Sequence, residues 1–195
     1  MSATRLLVLG VVRMYGKAHG YQVRRELLSW RADKWGNVQP GSIYHALKKM
    51  TAEGLLEQVA EDAGGSGPER VAYRLTEDGE TEFMVRLTEA LASDEATGYS
   101  MSAAVTLMPT LPRDRALALL RQQLANMEAH LTATHYAREH AVELGKPPHV
   151  GELYRLWSAH AEANVTWMRG LIARLEAGEY VMAGEGEPAF GEPAR

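Results

Sequence analysis

The stretch GSIYHALKKMTA, positions 41 to 52, carries two lysines and a histidine and no acidic residue. Wound as a helix at about 100° per residue, Ile43, Leu47 and Met50 share an arc of about 60°. Gly41, His45, Lys48 and Lys49 lie roughly 140–240° away from Ile43. One side is apolar and the other is cationic and small. Such side chains do not make a nucleophile or an acid–base pair. They are donors for phosphate oxygens and base edges, and a helix shaped this way fits a major groove about 12 Å wide. Ser42 and Tyr44, on the flanks, add hydroxyls within reach of phosphates. The lysines alone would suit any solvated amphipathic helix, so the neighbouring elements decide between the two readings.

Upstream, TRLLVLGVVRMYG reads as a first helix ending near Gly16. HGYQVRRELLSW reads as a second, with Val23, Leu27 and Trp30 on one stripe. RADKWGNVQP is a turn-rich connection. Pro40 then opens the third helix, where its missing N–H costs nothing, and Gly54 is placed to close it. Downstream, two short apolar stretches flank a tip at Gly64 to Pro68, and Val71, Tyr73 and Leu75 alternate with Ala72 and Arg74. That pattern predicts a β-hairpin. Thr76 is a good N-cap for a fourth helix that starts with Glu77, Asp78 and Glu80 and continues through Phe83, Leu87 and Leu91. Helix, helix, turn, helix, hairpin, helix is the order of a winged helix-turn-helix domain, and a basic third helix within it points to double-stranded DNA.

The first 80 residues resemble the PadR-like transcriptional regulators. The residues that carry the resemblance are HGYQVRREL, PGSIYHALKKMTAEGLL and YRLTEDGE, at nearly the family's spacing. More loosely, LPRDRALALLRQQLANMEAHL and LWSAHAEANVTWMRGLIARLEAG resemble the long, virulence-activator-type C-terminal region of larger members. The resemblance implies a homodimer, a near-palindromic DNA operator and repression relieved by a small molecule. It places Tyr44 and the exposed positions of the third helix toward DNA, with Tyr73 and Leu75 supporting the wing. Gln39 stands where the family often has a capping Ser or Thr, which predicts a less firmly started helix. The wing tip EDAGGSGPER has three acids and one Arg, so its phosphate contact falls to Arg70, helped by Arg74. The expected DNA-binding set is Gly41, Ser42, Tyr44, His45, Lys48, Lys49, Arg70 and Arg74.

From Gly98 the chain reads as entirely helical. Leu117, Leu120, Leu124, Met127 and Leu131 repeat at 3-4 spacing. After Pro147 and Pro148, so do Leu153, Trp157, His160, Asn164, Trp167 and Leu171. Two heptad-type helices joined by a short turn predict an antiparallel hairpin that dimerises through Leu117, Leu120, Leu124, Met127, Leu131 and Leu171. Trp157 and Trp167 read first as packing residues of that seam and His160 with Asn164 as a register-setting polar pair. With Tyr154 they are also the candidate contacts for an apolar or aromatic effector. Trp30 and Trp35 read as packing residues of the N-terminal module. The expected fold is mainly α: a winged helix-turn-helix domain at 1–92, a coiled-coil-like dimerisation and effector domain at 93–180, and a Gly/Pro/Glu-rich disordered tail at 181–195.

Composition narrows the function classes. The 195-residue chain carries a net charge of −4 and no cysteine. Residues 1–58 hold nine Lys and Arg against four acids, a surplus of five, so the rest of the chain carries −9. A basic front and an acidic back suggest modules with different partners. The lack of cysteine excludes disulfides and thiolate metal sites and fits a cytoplasmic protein. The apolar run Leu6 to Val12 is far shorter than the roughly 20 residues of a membrane span. His130, His135 and His140 are five apart and cannot share a helix face, so no metal set is expected. GxSxG, P-loop, HExxH and GxGxxG-after-strand motifs are all missing, and GGSG at 64–67 is a hairpin tip rather than a phosphate cradle. No catalytic residue, cofactor or metal is therefore assigned. The competing reading is a helical interaction module whose winged domain binds protein instead of DNA.

Overall fold

The computed structural model describes residues 3–60, 71–92, 98–140, 145–186 and 189–191. The chain divides into two compact units: Met1–Arg113 together with Val181–Arg195, and Asp114–Tyr180.

The first unit is built around α1 (Ala3–Tyr15). Every residue from Leu6 to Val12 is buried, because α1 is packed by α2, α4, α5, α6 and β3. Gly10 allows the closest of these approaches: a Cβ there would stand 2.6 Å from a methyl of Leu107 on α6. After the two-residue strand β1 (Ala18–His19), α2 (Gly20–Ser29) buries Gly20, Val23 and Leu27. The turn-rich connection contains one extra helical turn, α3 (Ala32–Trp35), entered through Arg31 at φ 57°. Next comes α4 (Pro40–Ala52), the basic helix, which buries Ile43, Ala46, Leu47 and Met50.

The start of α4 is firmer than Gln39 suggested. The Gln39 N–H donates to Ser42 Oγ at 3.1 Å, and the Ser42 hydroxyl donates to the Gln39 carbonyl at 2.7 Å. The cap is thus supplied from inside the helix. At the other end Gly54 adopts φ +77°, and the Leu55 and Gly54 N–H groups reach back to Met50 and Thr51 carbonyls. This is a Schellman closure, which needs the left-handed residue that glycine supplies without strain.

Strands β2 (Leu56–Ala60) and β3 (Val71–Leu75) pair antiparallel, and β1 adds to the other edge of β3, giving the order β1-β3-β2. The expected hairpin tip at 61–70 lies outside the described residues. Thr76 caps α5 (Glu77–Ala92) by accepting the Gly79 N–H at 3.0 Å.

Two expected boundaries are corrected. Helix α6 (Gly98–Leu107) packs on α1 and α5, so the first unit runs to Arg113 rather than ending at residue 92. Helix α6 buries Ser100, Met101, Ala103, Ala104 and Leu107. Its many small side chains let it lie close to α1, a property invisible to a reading that counts large apolar residues. The tail, too, is not free where it is described. Met182 and Ala189 are buried. The Ala183 N–H donates to the Pro109 carbonyl at 2.9 Å, in the 3-10 turn Met108–Thr110. Composition predicted disorder for 181–195, whereas the described residues 182–186 and 189–191 include the buried Met182 and Ala189 and bond back to the first unit.

The second unit holds α7 (Arg113–Glu139, from Asp114 onward) and α8 (Val150–Glu176). Ion pairs Arg121–Glu176 (2.6 Å), Glu128–Arg169 (2.6 Å) and His135–Glu162 (2.9 Å) join the two helices. Each step of seven up α7 meets a step of seven down α8, so the helices are antiparallel and in heptad register. The buried stripe of α8 is Ser158, Ala161, Val165, Met168, Leu171, Ile172 and Leu175. Of the seam expected from the sequence, Leu171 falls in that buried stripe, and the rest lies beside it and faces solvent within the single chain. Leu153, Leu156, Trp157 and Trp167 are 41–51% exposed, and His160 and Asn164 are exposed. Two stripes compete on α8, and the one with smaller side chains won the interior.

Candidate nucleic-acid interface

Helix α4 presents the expected face. Ile43, Leu47 and Met50 are fully buried, while Tyr44 is 46% exposed and Gly41, His45, Lys48 and Lys49 are exposed. The nearest acid to Lys49 is Glu53, at 4.0 Å. Glu53 is itself gripped by the Arg5 guanidinium at 2.5 and 3.1 Å, which holds its carboxyl below the usual glutamate range. The fork from Arg5 outweighs a loose exposed pair of this kind, worth about 0–1 kcal/mol. Lys49 is therefore available to phosphate. Ser42 differs from its neighbours in that its hydroxyl donates to the Gln39 carbonyl and accepts the Gln39 N–H, capping the helix.

Beside α4 lies a cleft of about 620 Å³ lined by His19, Gly20, Tyr21, Tyr44, Val71 and Tyr73. The His19 and Tyr21 rings stack at 5.4 Å and 12°. The His19 Nδ1 sits 3.1 Å from the Val71 carbonyl, tying β1 to β3. A Cβ at Gly20 would come within 2.8 Å of the Tyr44 ring, so glycine there lets α2 approach Tyr44. Of these residues only Tyr44 was in the expected set. His19 and Tyr21 were missed because a two-residue strand leaves no periodicity to read. Their one signal was the HGY of the family pattern.

In the wing, Arg74 has a partner of its own. Arg74 stands directly opposite Glu57 in the β2–β3 ladder and is bonded to it at 2.7–2.8 Å. Side chains alternate along a strand, so Arg74 points to the opposite sheet face from Tyr73, which lines the cleft. The pair is exposed on both sides, with side chains 58% and 46% accessible. Arg70 lies outside the described residues. The structure therefore brings together Gly41, Tyr44, His45, Lys48 and Lys49 on one open face, with the aromatic cleft at its side.

In the second unit, Leu117, Leu120 and Leu171 of the expected dimer set are buried within the single chain, and Leu124, Met127 and Leu131 are half-buried. Of the effector candidates, Tyr154 and Trp157 meet edge-to-face at 5.6 Å. Trp157 and Trp167 are 46% and 41% exposed within the single chain. Among the described residues no group of His, Asp or Glu is placed to hold a metal. None of the described helices is long and apolar enough to cross a membrane.

A family model described as the transcriptional regulator PadR-like family matches residues 8–85. No curated protein matches the chain. Among solved structures it is similar to Bacillus subtilis PadR in complex with operator DNA, at 22% identity and a TM-score of 0.42, covering 90% of this chain and 98% of that one. The same protein in complex with p-coumaric acid matches at 20% identity and 0.38, covering 89% and 96%. A PadR family transcription regulator from Clostridium difficile matches at 20% and 0.36, covering 44% and 84%. The family consists of transcriptional regulators, not enzymes. The match over residues 8–85 spans α2, α4, the β2–β3 wing and the aromatic cleft, so it is this part of the chain that is similar to the PadR-like family of transcriptional regulators.

Proposed function

We propose that the protein is a cytoplasmic, homodimeric repressor that reads a near-palindromic operator by placing α4 in the major groove. The observation that carries this reading is the acid-free outer face of α4, with Gly41, Tyr44, His45, Lys48 and Lys49 exposed over a fully buried Ile43, Leu47 and Met50. Lysines contact phosphates, while His45, in the middle of the exposed arc, is placed for base edges. Dimerisation is supported by α8, where the large apolar side chains Leu153, Leu156, Trp157 and Trp167 stand 41–51% exposed within the single chain. A small apolar or aromatic effector that meets Tyr154, Trp157, His160 or Trp167 would lower operator affinity by favouring the conformation that does not bind DNA.

The direct test is a gel shift with duplexes from the promoter of the protein's own gene, titrated with salt. Salt-sensitive binding that exceeds binding to a scrambled duplex supports the reading. Failure to retain any duplex at low salt would leave the winged unit as a protein-binding module. The effector claim falls if a panel of aromatic compounds changes neither tryptophan fluorescence nor operator binding.

A further inference from the structure

The chain leaves its first unit at Arg113, forms the α7–α8 hairpin, and returns at Val181. What returns is a strap whose described residues, 182–186 and 189–191, have a specific seat. The Arg113 guanidinium forks onto Glu185 at 2.6 and 2.7 Å, and Glu185 also accepts the Met182 N–H at 3.0 Å. Arg13 of α1, bonded to Glu80 at 2.6 Å, donates to the Gly191 carbonyl at 3.0 Å. Gly191 has φ +84°, and a Cβ there would stand 2.7 Å from the Thr110 methyl. Between these anchors the Phe190 ring lies 5.4 Å from Trp30.

Trp30 is where α1, α2 and α3 meet. It is the C-cap residue of α2. Its indole N–H donates to Glu26 at 3.0 Å, and the other Glu26 oxygen accepts the Tyr15 hydroxyl at 2.8 Å. Its carbonyl accepts the Trp35 indole N–H at 2.7 Å. Helix α2 has ten residues. A helix that short does not persist without tertiary anchors at its ends. Its first turn carries Gly20 and Tyr21 into the cleft beside Tyr44, so its placement sets the shape of that surface.

We infer that Phe190 is a positioning residue for the DNA interface: by covering Trp30, the C-terminal strap holds α2 in the arrangement that the aromatic cleft requires. When the strap is released, only a fraction of molecules has the competent cleft, and apparent affinity falls by that fraction. This inference rests on the DNA-binding reading of the preceding section.

The test uses the full chain. Phe190→Ala is expected to weaken operator binding by roughly three- to tenfold, the size of one aromatic pair contact. Phe190→Tyr should retain wild-type affinity. Gly191→Ala, which leaves Phe190 in place but blocks its seat, should reproduce the loss. Phe190 is 45% exposed, so its truncation leaves no large core cavity and the fold is kept. Amide exchange should quicken across Gly20–Ser29 and stay unchanged in α7 and α8, which a general loss of stability would not do. Wild-type operator affinity in both Phe190→Ala and Gly191→Ala overturns the inference, as does equal speeding of exchange throughout the chain. If the wild type itself binds no duplex, the DNA-binding reading fails and this inference with it, whereas binding by the wild type with unaltered variants refutes the strap alone.

Discussion

His45, Lys48 and Lys49 share one exposed arc but differ in what they can do there. Lys48→Ala and Lys49→Ala should each weaken binding to operator and scrambled duplex alike and lower the slope of log K against log salt by about 1. His45→Ala should instead change the ranking of operator variants, by roughly 1–3 kcal/mol at one base pair. A salt titration of the three variants on both duplexes separates these roles, and unchanged slopes for both lysine variants would remove α4 from the groove. Gly79 shows a different dependence on a single residue. A Cβ there would lie 2.0 Å from the Leu55 carbonyl oxygen, and backbone cannot give way as a side chain can. Gly79→Ala should cost about 1–3 kcal/mol or more as overpacking, read as a lower urea midpoint. Glu185 titrates in the strap's clamp. Arg113 and the Met182 N–H hold its carboxyl below the usual glutamate range. A depressed folded-state pKa means stabilisation that is present above the ordinary glutamate value of about 4.3 and lost as pH falls through the folded value. Glu185→Gln should therefore be less stable than wild type at pH 7, and the difference should shrink as pH falls below the ordinary glutamate value. A gap that persisted undiminished in acid would contradict an ionic clamp.

At the level of elements, α8 is the one with two apolar stripes. Val165, Met168 and Ile172 are buried in the chain, while Trp157 and Trp167 stand nearly half exposed. A helix with only one buried stripe would be expected to carry polar residues on the rest of its surface. The second stripe is therefore the surface to perturb for assembly. Trp167→Glu should leave the α7–α8 ion pairs and the far-ultraviolet spectrum intact but turn the dimer into a monomer of 21.5 kDa in light scattering, because an unpaired charge in a desolvated interface costs several kcal/mol. A wild type that is already monomeric at micromolar concentration would refute the dimer.

For the molecule as a whole, two copies of α4 related by a twofold axis would reach successive major-groove faces about 34 Å apart, so half-sites should be centred about one helical turn apart. Inserting five base pairs between half-sites should abolish the cooperative footprint, and inserting ten should restore part of it. A footprint indifferent to spacing would mean that the two copies do not read DNA together.

How much of this was legible beforehand follows from the range of each interaction. Local rules gave α4, its basic face and its closure at Gly54, because helix phase and a left-handed glycine depend only on near neighbours. They also gave the hairpin, the Thr76 cap and the antiparallel heptad pairing of α7 with α8. Contacts distant in sequence were not legible. Strand β1 exists only because β3 offers an edge to Ala18 and His19, so the cleft of His19, Tyr21, Tyr44 and Tyr73 could not be assembled from periodicity. That Arg74 stands opposite Glu57 across the ladder was likewise not readable from either strand alone. On α8 the sequence contained both stripes, and only packing against the rest of the chain decided that the one with the smaller residues goes inside. The tail's composition argued for disorder because composition averages over residues, whereas its seat depends on particular distant contacts: Ala183 with the Pro109 carbonyl, Phe190 with Trp30, and Gly191 with Arg13. Residue type and spacing thus determined which chemistry the chain could offer, and the tertiary structure decided which of those groups face outward together, since burial and pairing are settled by partners that lie tens of residues away.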